Sequence, residues 1–241
     1  MPTTITAVPT TLEIDTDPGV LTAIERFTPS GSGPASSEGD DATVLHEPTH
    51  TRSTADRPEV HRAATYLRGT LRQVPGFGGG LLLAGQAGEV ALYSRWAVAD
   101  SASAELPAAW SLAPALADLT RVDARTFAVD FTAPGAVSRA SRTATPRAHF
   151  GVFTVAPERQ EELLERARRH APGSIGTPGL AAITFHRSLD GERVINLGLW
   201  SGFDEFGDLL ARPGFVGGAE YWEGVAGFRP QFFDVVDIVG R

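Results

Sequence analysis

The sequence predicts an α+β fold in which two tandem ferredoxin-like units, each ordered β-α-β-β-α-β, close into one intramolecular dimeric α/β barrel. Three observations predict it. The first is an internal repeat. Val74-Pro75-Gly76-Phe77 leads through an apolar run to Gly88-Glu89-Val90-Ala91-Leu92-Tyr93-Ser94-Arg95-Trp96. Thr177-Pro178-Gly179-Leu180 leads in the same way to Gly191-Glu192-Arg193-Val194-Ile195-Asn196-Leu197-Gly198-Leu199-Trp200. Pro75 precedes Trp96 by 21 residues and Pro178 precedes Trp200 by 22, so a single loop residue separates the two copies. The second observation is that the flanks of the two segments also match. The third is physical: a four-stranded sheet with helices on one side leaves its other face bare, and a second sheet in the same chain can cover it.

Each element follows in order. A β-type run at 20–27 opens the first copy, and an insertion at 29–54, rich in Ser, Gly and Asp, separates it from an amphipathic segment at 58–73. With few apolar residues to hold it down, the insertion reads as a mobile loop or lid. Pro58 suits the first turn of a helix. The repeat segment supplies two strands, a second helical stretch falls at about 103–119, and a β-rich run at 126–132 ends the copy. The second copy repeats the order with a strand at 150–155 and a helix from Pro157 to about residue 170. Its own repeat segment follows, then a second helical stretch at about 203–225, broken at Pro213-Gly214, and a strand at 231–239. Residues 1–132 thus form one unit and 149–241 the other. Residues 133–148, small and rich in Ser, Ala and Pro, read as the linker.

Composition excludes several functions. There is no cysteine, which removes disulfide, thiolate and iron–sulfur chemistry. A net charge of −8 argues against nucleic acid and anionic membrane as partners. The first residues carry no basic, apolar leader and no apolar run reaches membrane length, so a cytoplasmic protein is expected. The partner is then a small molecule or another protein, and a self-paired barrel is still compatible with a homodimer.

Asn196 is the only asparagine, and it sits in an otherwise apolar strand. An asparagine buried there without a partner costs roughly 1–3 kcal/mol. Asn196 and Trp200 are an even number apart and face one side of a strand, with Gly198 leaving space between them. A carboxamide and an indole N–H beside an apolar hollow suit a flat aromatic ligand carrying oxygens. The alternative is an asparagine satisfied by backbone at a strand irregularity, with Trp96 and Trp200 as core. The first copy has Leu92 where the second has Asn196, so an amide-dependent site would exist in the second copy only.

The run Asn196-Leu-Gly-Leu-Trp200, in its Pro-Gly-strand-turn-strand setting, resembles the antibiotic biosynthesis monooxygenase family of dimeric α+β barrels. The resemblance covers the second copy and, more faintly, the first. It implies an oxygenase of aromatic polyketide tailoring that oxidises a polycyclic phenol or hydroquinone with O2. It also implies no metal and no tightly bound prosthetic group. Asn196 and Trp200 inherit the family's catalytic Asn-x-x-x-Trp pair, donating hydrogen bonds to an oxyanion or peroxide. His149 and His186 are the candidate bases, and Gly198, Phe206, Tyr221 and Trp222 the candidate substrate contacts. The double length resembles angucycline ring-opening oxygenases. For these, reduced flavin (FADH2 or FMNH2) is a diffusible co-substrate and a flavin reductase a partner, so ring cleavage and quinone-forming hydroxylation both stay open. Phe206 stands where anthrone oxygenases carry a tyrosine, and Glu220 near their later arginine. A cofactor-free cyclase or isomerase and a non-catalytic binding protein are the rival readings.

Two motifs are set aside. His46-Glu47-Pro48-Thr49-His50 spells a zinc-protease pattern, but Pro48 opposes the helix it requires. The glycines at 76, 78, 79 and 80 lead into a strand rather than the helix a dinucleotide loop needs. The alternating Glu and Arg residues of 158–169 read as a solvated helix face.

Overall fold

The computed structural model describes residues 11–30, 54–98, 106–202 and 221–240. These form strands β1 (Thr11–Asp15) and β2 (Val20–Pro29), helix α1 (Pro58–Gly69), and strands β3 (Phe77–Ala84), β4 (Val90–Ala97), β5 (Leu119–Ala133), β6 (Val137–Ser141) and β7 (Arg147–Val155). Helix α2 (Gln160–Ser174) and strands β8 (Leu180–Ser188), β9 (Arg193–Trp200) and β10 (Ala226–Gly240) complete them. Eight of the strands close an antiparallel barrel in the order β10-β3-β4-β2-β5-β8-β9-β7. Within it β3-β4-β2-β5 and β8-β9-β7-β10 repeat one ferredoxin-like order, joined where β5 pairs with β8 and β10 with β3. The expected α+β barrel is therefore present. Each half supplies the missing neighbour for the other's sheet edges, so no barrel strand is left with an unpaired side.

The repeat is visible in the backbone. Gly76 and Gly179 both take positive φ, at 88° and 84°. A Cβ there would lie 2.6 Å from the Ala97 carbonyl oxygen in one copy and 2.8 Å from that of Gly202 in the other. Only glycine fits either turn.

Side chains sort by parity into three layers. Leu81, Leu83, Tyr93, Phe127, Phe150, Ile195, Leu197 and Leu199 fill the barrel, together with Leu12, Ile14 and Ala140 from the β1–β6 ribbon. The opposite sheet faces bury Leu82, Leu92 and Trp96 under α1, and Phe153, Phe185 and Val194 under α2. Proline opens both helical regions as expected: Pro58 starts α1, and Pro157 starts a short 3-10 turn leading into α2.

One expectation needs correction. The described part of the second helical stretch of the first copy is no α-helix, but two 3-10 turns, Ala108–Trp110 and Ala113–Ala115. Pro107 and Pro114 lack the N–H groups an α-helix would use. The buried Glu25 carboxylate also takes the Leu112 N–H at 2.5 Å and the Ser111 hydroxyl at 2.7 Å. Within the stretch read as a linker, β6 pairs with β1. Residues 31–53 of the insertion expected to be a lid, the zinc-like motif, Phe206 and the body of the last helical stretch all lie outside the described residues.

Candidate active site

The site is built on two adjacent strands. In β9, Asn196, Gly198 and Trp200 alternate with Ile195, Leu197 and Leu199, which belong to the barrel filling. The three therefore face α2, as the even spacing predicts. On β7, His149 pairs with Gly198 and Gly151 with Asn196. The His149 imidazole lies over Gly198, where a Cβ would stand 2.1 Å from its Cε1 and 2.2 Å from its Nδ1. Gly198 thus makes room for the imidazole, not for the ligand the sequence reading assigned to that space.

The indole N–H of Trp200 donates to His149 Nδ1 at 2.8 Å. An indole nitrogen only donates, so Nδ1 carries the lone pair and the hydrogen of the neutral ring sits on Nε2. Burial holds His149 neutral, with its pKa pushed down to about 4. The N–H expected to reach an oxyanion is instead given to the histidine. In this tautomer His149 is a donor, not the base proposed for it.

His149, Asn196 and Trp200 line a cavity whose walls include Phe153, Phe185, Tyr221, Trp222 and Phe228. Trp222 lies 4.4 Å from Phe228 and Tyr221 meets Trp222 edge-on at 4.6 Å, centroid to centroid. The carboxamide oxygen of Asn196 is buried in this wall without a hydrogen-bond partner. Burial also pushes the Tyr221 hydroxyl above its ordinary pKa. The cavity thus gathers Asn196, Trp200, His149, Tyr221 and Trp222 in one place.

His186 is not part of it. Its parity in β8 follows Ala182, in the barrel filling, while Ile183 and Phe185 face the cavity. It lies inside the barrel, its Nδ1 3.2 Å from the Ile195 carbonyl and its Nε2 2.9 Å from the Tyr93 hydroxyl. Since the carbonyl only accepts, Nδ1 carries the hydrogen and Nε2 accepts from Tyr93. Burial pushes its pKa down to about 3.

The sequence reading missed His170, whose Nε2 is the second buried, unpartnered polar atom of the cavity. The signal was present. His170 follows Leu163 by seven residues on the stripe of α2 that buries Leu163, Leu164, Ala167 and Ala171.

No family model matches the chain. It is 34% identical over 90 residues to tetracenomycin-F1 monooxygenase of Streptomyces glaucescens, a match spanning 37% of this chain and 80% of that protein. The chain belongs to the antibiotic biosynthesis monooxygenase family. It is accordingly an oxidoreductase. The fold of the family's double-length form extends over the whole chain: an anthrone oxidase-like protein superposes with a TM-score of 0.66 at 14% identity, covering 95% of this chain and 96% of its own. A candidate monooxygenase from Fusobacterium nucleatum gives 0.55 at 10% identity, over 92% and 94% of the two chains. Among the described residues no helix is long and apolar enough to cross a membrane.

Proposed function

We propose that the chain oxidises a polycyclic phenol or hydroquinone of aromatic polyketide origin with O2, in the cavity of the C-terminal half. The N-terminal half serves as scaffold. The observation that carries this reading is an aromatic-walled cavity presenting the unpartnered carboxamide oxygen of Asn196. A buried acceptor left unpaired costs about 1–3 kcal/mol, and a ligand hydroxyl relieves that cost. The similarity to tetracenomycin-F1 monooxygenase supports the substrate class.

The chemistry needs no external reductant. A phenolate gives electrons to O2, and the ring carbon that gains the hydroperoxide still carries one hydrogen. Loss of that hydrogen with hydroxide, as water, leaves the second carbonyl of a quinone. The substrate supplies all the electrons and one oxygen atom leaves as water. The chain's task is to orient the ring, with Asn196 and the Trp200–His149 pair on the strand floor.

The cavity measures about 90 Å³, below the ~150 Å³ of an apolar cavity that admits benzene. A ring therefore enters by displacing wall side chains. Trp222, set on a turn rather than in the strand ladder, is the one placed to yield. The test is oxygen uptake with 1,8-dihydroxyanthrone, with and without chemically reduced flavin. Uptake without flavin, one O2 per quinone, is expected. Turnover of the substrate without oxygen would support a cyclase or isomerase instead, and a strict need for flavin would point to ring cleavage.

A further inference from the structure

Three buried side-chain polar atoms among the described residues lack a hydrogen-bond partner: Arg26 Nε, Asn196 Oδ1 and His170 Nε2. Two of the three line one cavity. Buried groups are otherwise paired almost without exception, so two such atoms in one wall mark the place where a ligand completes the network.

The other two imidazoles of this half are committed elsewhere. His149 Nδ1 is taken by Trp200. His186 lies in the barrel, bonded to Tyr93 and Ile195. His170 alone of the three combines a place in the cavity wall with a ring nitrogen that has no protein partner. Its ring also stacks on Tyr221, centroids 4.9 Å apart and planes 27° from parallel. The face of a tyrosine ring at that distance favours a cation above it.

We propose that His170 is the proton acceptor of the site: its Nε2 takes the hydrogen of the substrate's phenolic hydroxyl. This rests on reading the cavity as a phenol site. The O–H bond breaks and its electron pair stays on oxygen, while an N–H bond forms at Nε2. The neutral pair becomes phenolate and imidazolium, stacked on Tyr221. The step uses the tautomer with hydrogen on Nδ1, and the proton leaves with the water released when the hydroperoxide collapses. Asn196 directs the ring rather than receiving the charge.

The experiment separates this step from the oxygen chemistry. The full chain is titrated anaerobically with 4-nitrophenol, buffered on the acid side of the phenol's own pKa, and the visible band of the bound phenolate is recorded. The wild type should show the band. His170→Gln, which hydrogen-bonds but is a poor base, should lose it by about tenfold or more while binding weakens less than about fivefold. His170→Asn, measured alongside in case the Gln variant is unstable, should behave alike, and added imidazole should restore the band. A band that persists in both variants, or is absent from the wild type, overturns the proposal. Oxygen uptake with 1,8-dihydroxyanthrone is scored separately. Uptake with a His170-independent band would sink this step and keep the oxygenase, and a His170-dependent band without uptake would do the reverse.

Discussion

The two halves of the barrel present the same five strand positions with opposite results. In the first, Ala23, Glu25, Leu92, Ser94 and Trp96 form solid core. In the second, His149, Gly151, Asn196 and Trp200 line a cavity, and Gly198 lies beneath the His149 ring. The register is the same, with Ala23 opposite Ser94 and Glu25 opposite Leu92, as His149 is opposite Gly198 and Gly151 opposite Asn196. In the first half the Trp96 N–H donates to the hydroxyl of Ser94 at 2.8 Å. Trp96 stacks on Trp110 at 4.6 Å and 4°, and Glu25 holds the segment that carries Trp110 and Leu112. In the second half Gly198 offers no hydroxyl, so the indole turns to His149, and over Gly151, where Glu25 stands in the first half, the rings of Phe228 and Phe153 close in on the cavity. The backbone is common property, and the site is made by two deletions of side chain and two additions of polar atoms.

The sharpest way to break this comparison is to give the second half the first half's serine. Gly198→Ser would set a Cβ about 2 Å from the His149 ring, so the imidazole must swing away, and its hydroxyl would capture the Trp200 N–H. We expect turnover to fall by about 10²–10³-fold and stability by about 1–3 kcal/mol, the usual cost of overpacking. Oxygen uptake and thermal unfolding measure the two. Near-normal uptake in a folded variant would show that His149 need not lie over residue 198.

Next in size is the exchange at the amide. Asn196→Ala should lower the rate by about two orders of magnitude with the fold intact. Leu92→Asn, the reverse change in the first half, should create no activity and cost about 1–3 kcal/mol by burying an unpaired amide. A gain of a second turnover site in Leu92→Asn would mean that the other three differences do not matter.

How much of this could be read in the sequence divides along the same line. The repeat, the barrel and the single asparagine were legible because turn glycines, strand parity and a spacing of 21 against 22 residues are properties of the chain itself. The choice between His149, His186 and His170 was not. It depends on strand register, which puts His186 on the barrel side and His149 over Gly198. His170 was hidden among the arginines of α2 although its heptad position marks the buried stripe. The 3-10 turns at 108–115 were likewise unreadable, since the carboxylate that shapes them comes from Glu25, more than eighty residues earlier.

A third prediction concerns acid. An unfolded histidine titrates near 6.5, whereas burial pushes folded His149 to about 4 and His186 to about 3. Between those values the unfolded chain binds protons that the folded one excludes, so stability is full above about 6.5 and declines as pH falls. His186→Phe should be less stable than wild type near neutrality, since the Tyr93 hydroxyl loses its nearer partner and keeps only Thr22, yet lose less on acidification. Unfolding midpoints measured from neutral pH downward should therefore converge. Parallel curves would show that the barrel histidine does not titrate on unfolding.

The smallest effect should separate the two tryptophans. Trp200→Phe keeps a flat apolar ring and removes only the N–H that fixes His149, whose neutral ring can then place its hydrogen on either nitrogen. An imidazole that spends part of its time in the wrong tautomer still packs, so a loss of about tenfold in rate is expected, with little change in substrate binding. Trp96→Phe removes the N–H that Ser94 accepts and part of the stack on Trp110. Its described ring contacts, Phe77 and Trp110, lie under α1 and away from the cavity, so the rate should hold while stability falls by about 1 kcal/mol. Measuring kcat and the unfolding free energy for both variants sets one effect against the other. Equal losses of rate from Trp96 and Trp200 would mean that both halves contribute to turnover, and that what separates them is packing rather than chemistry.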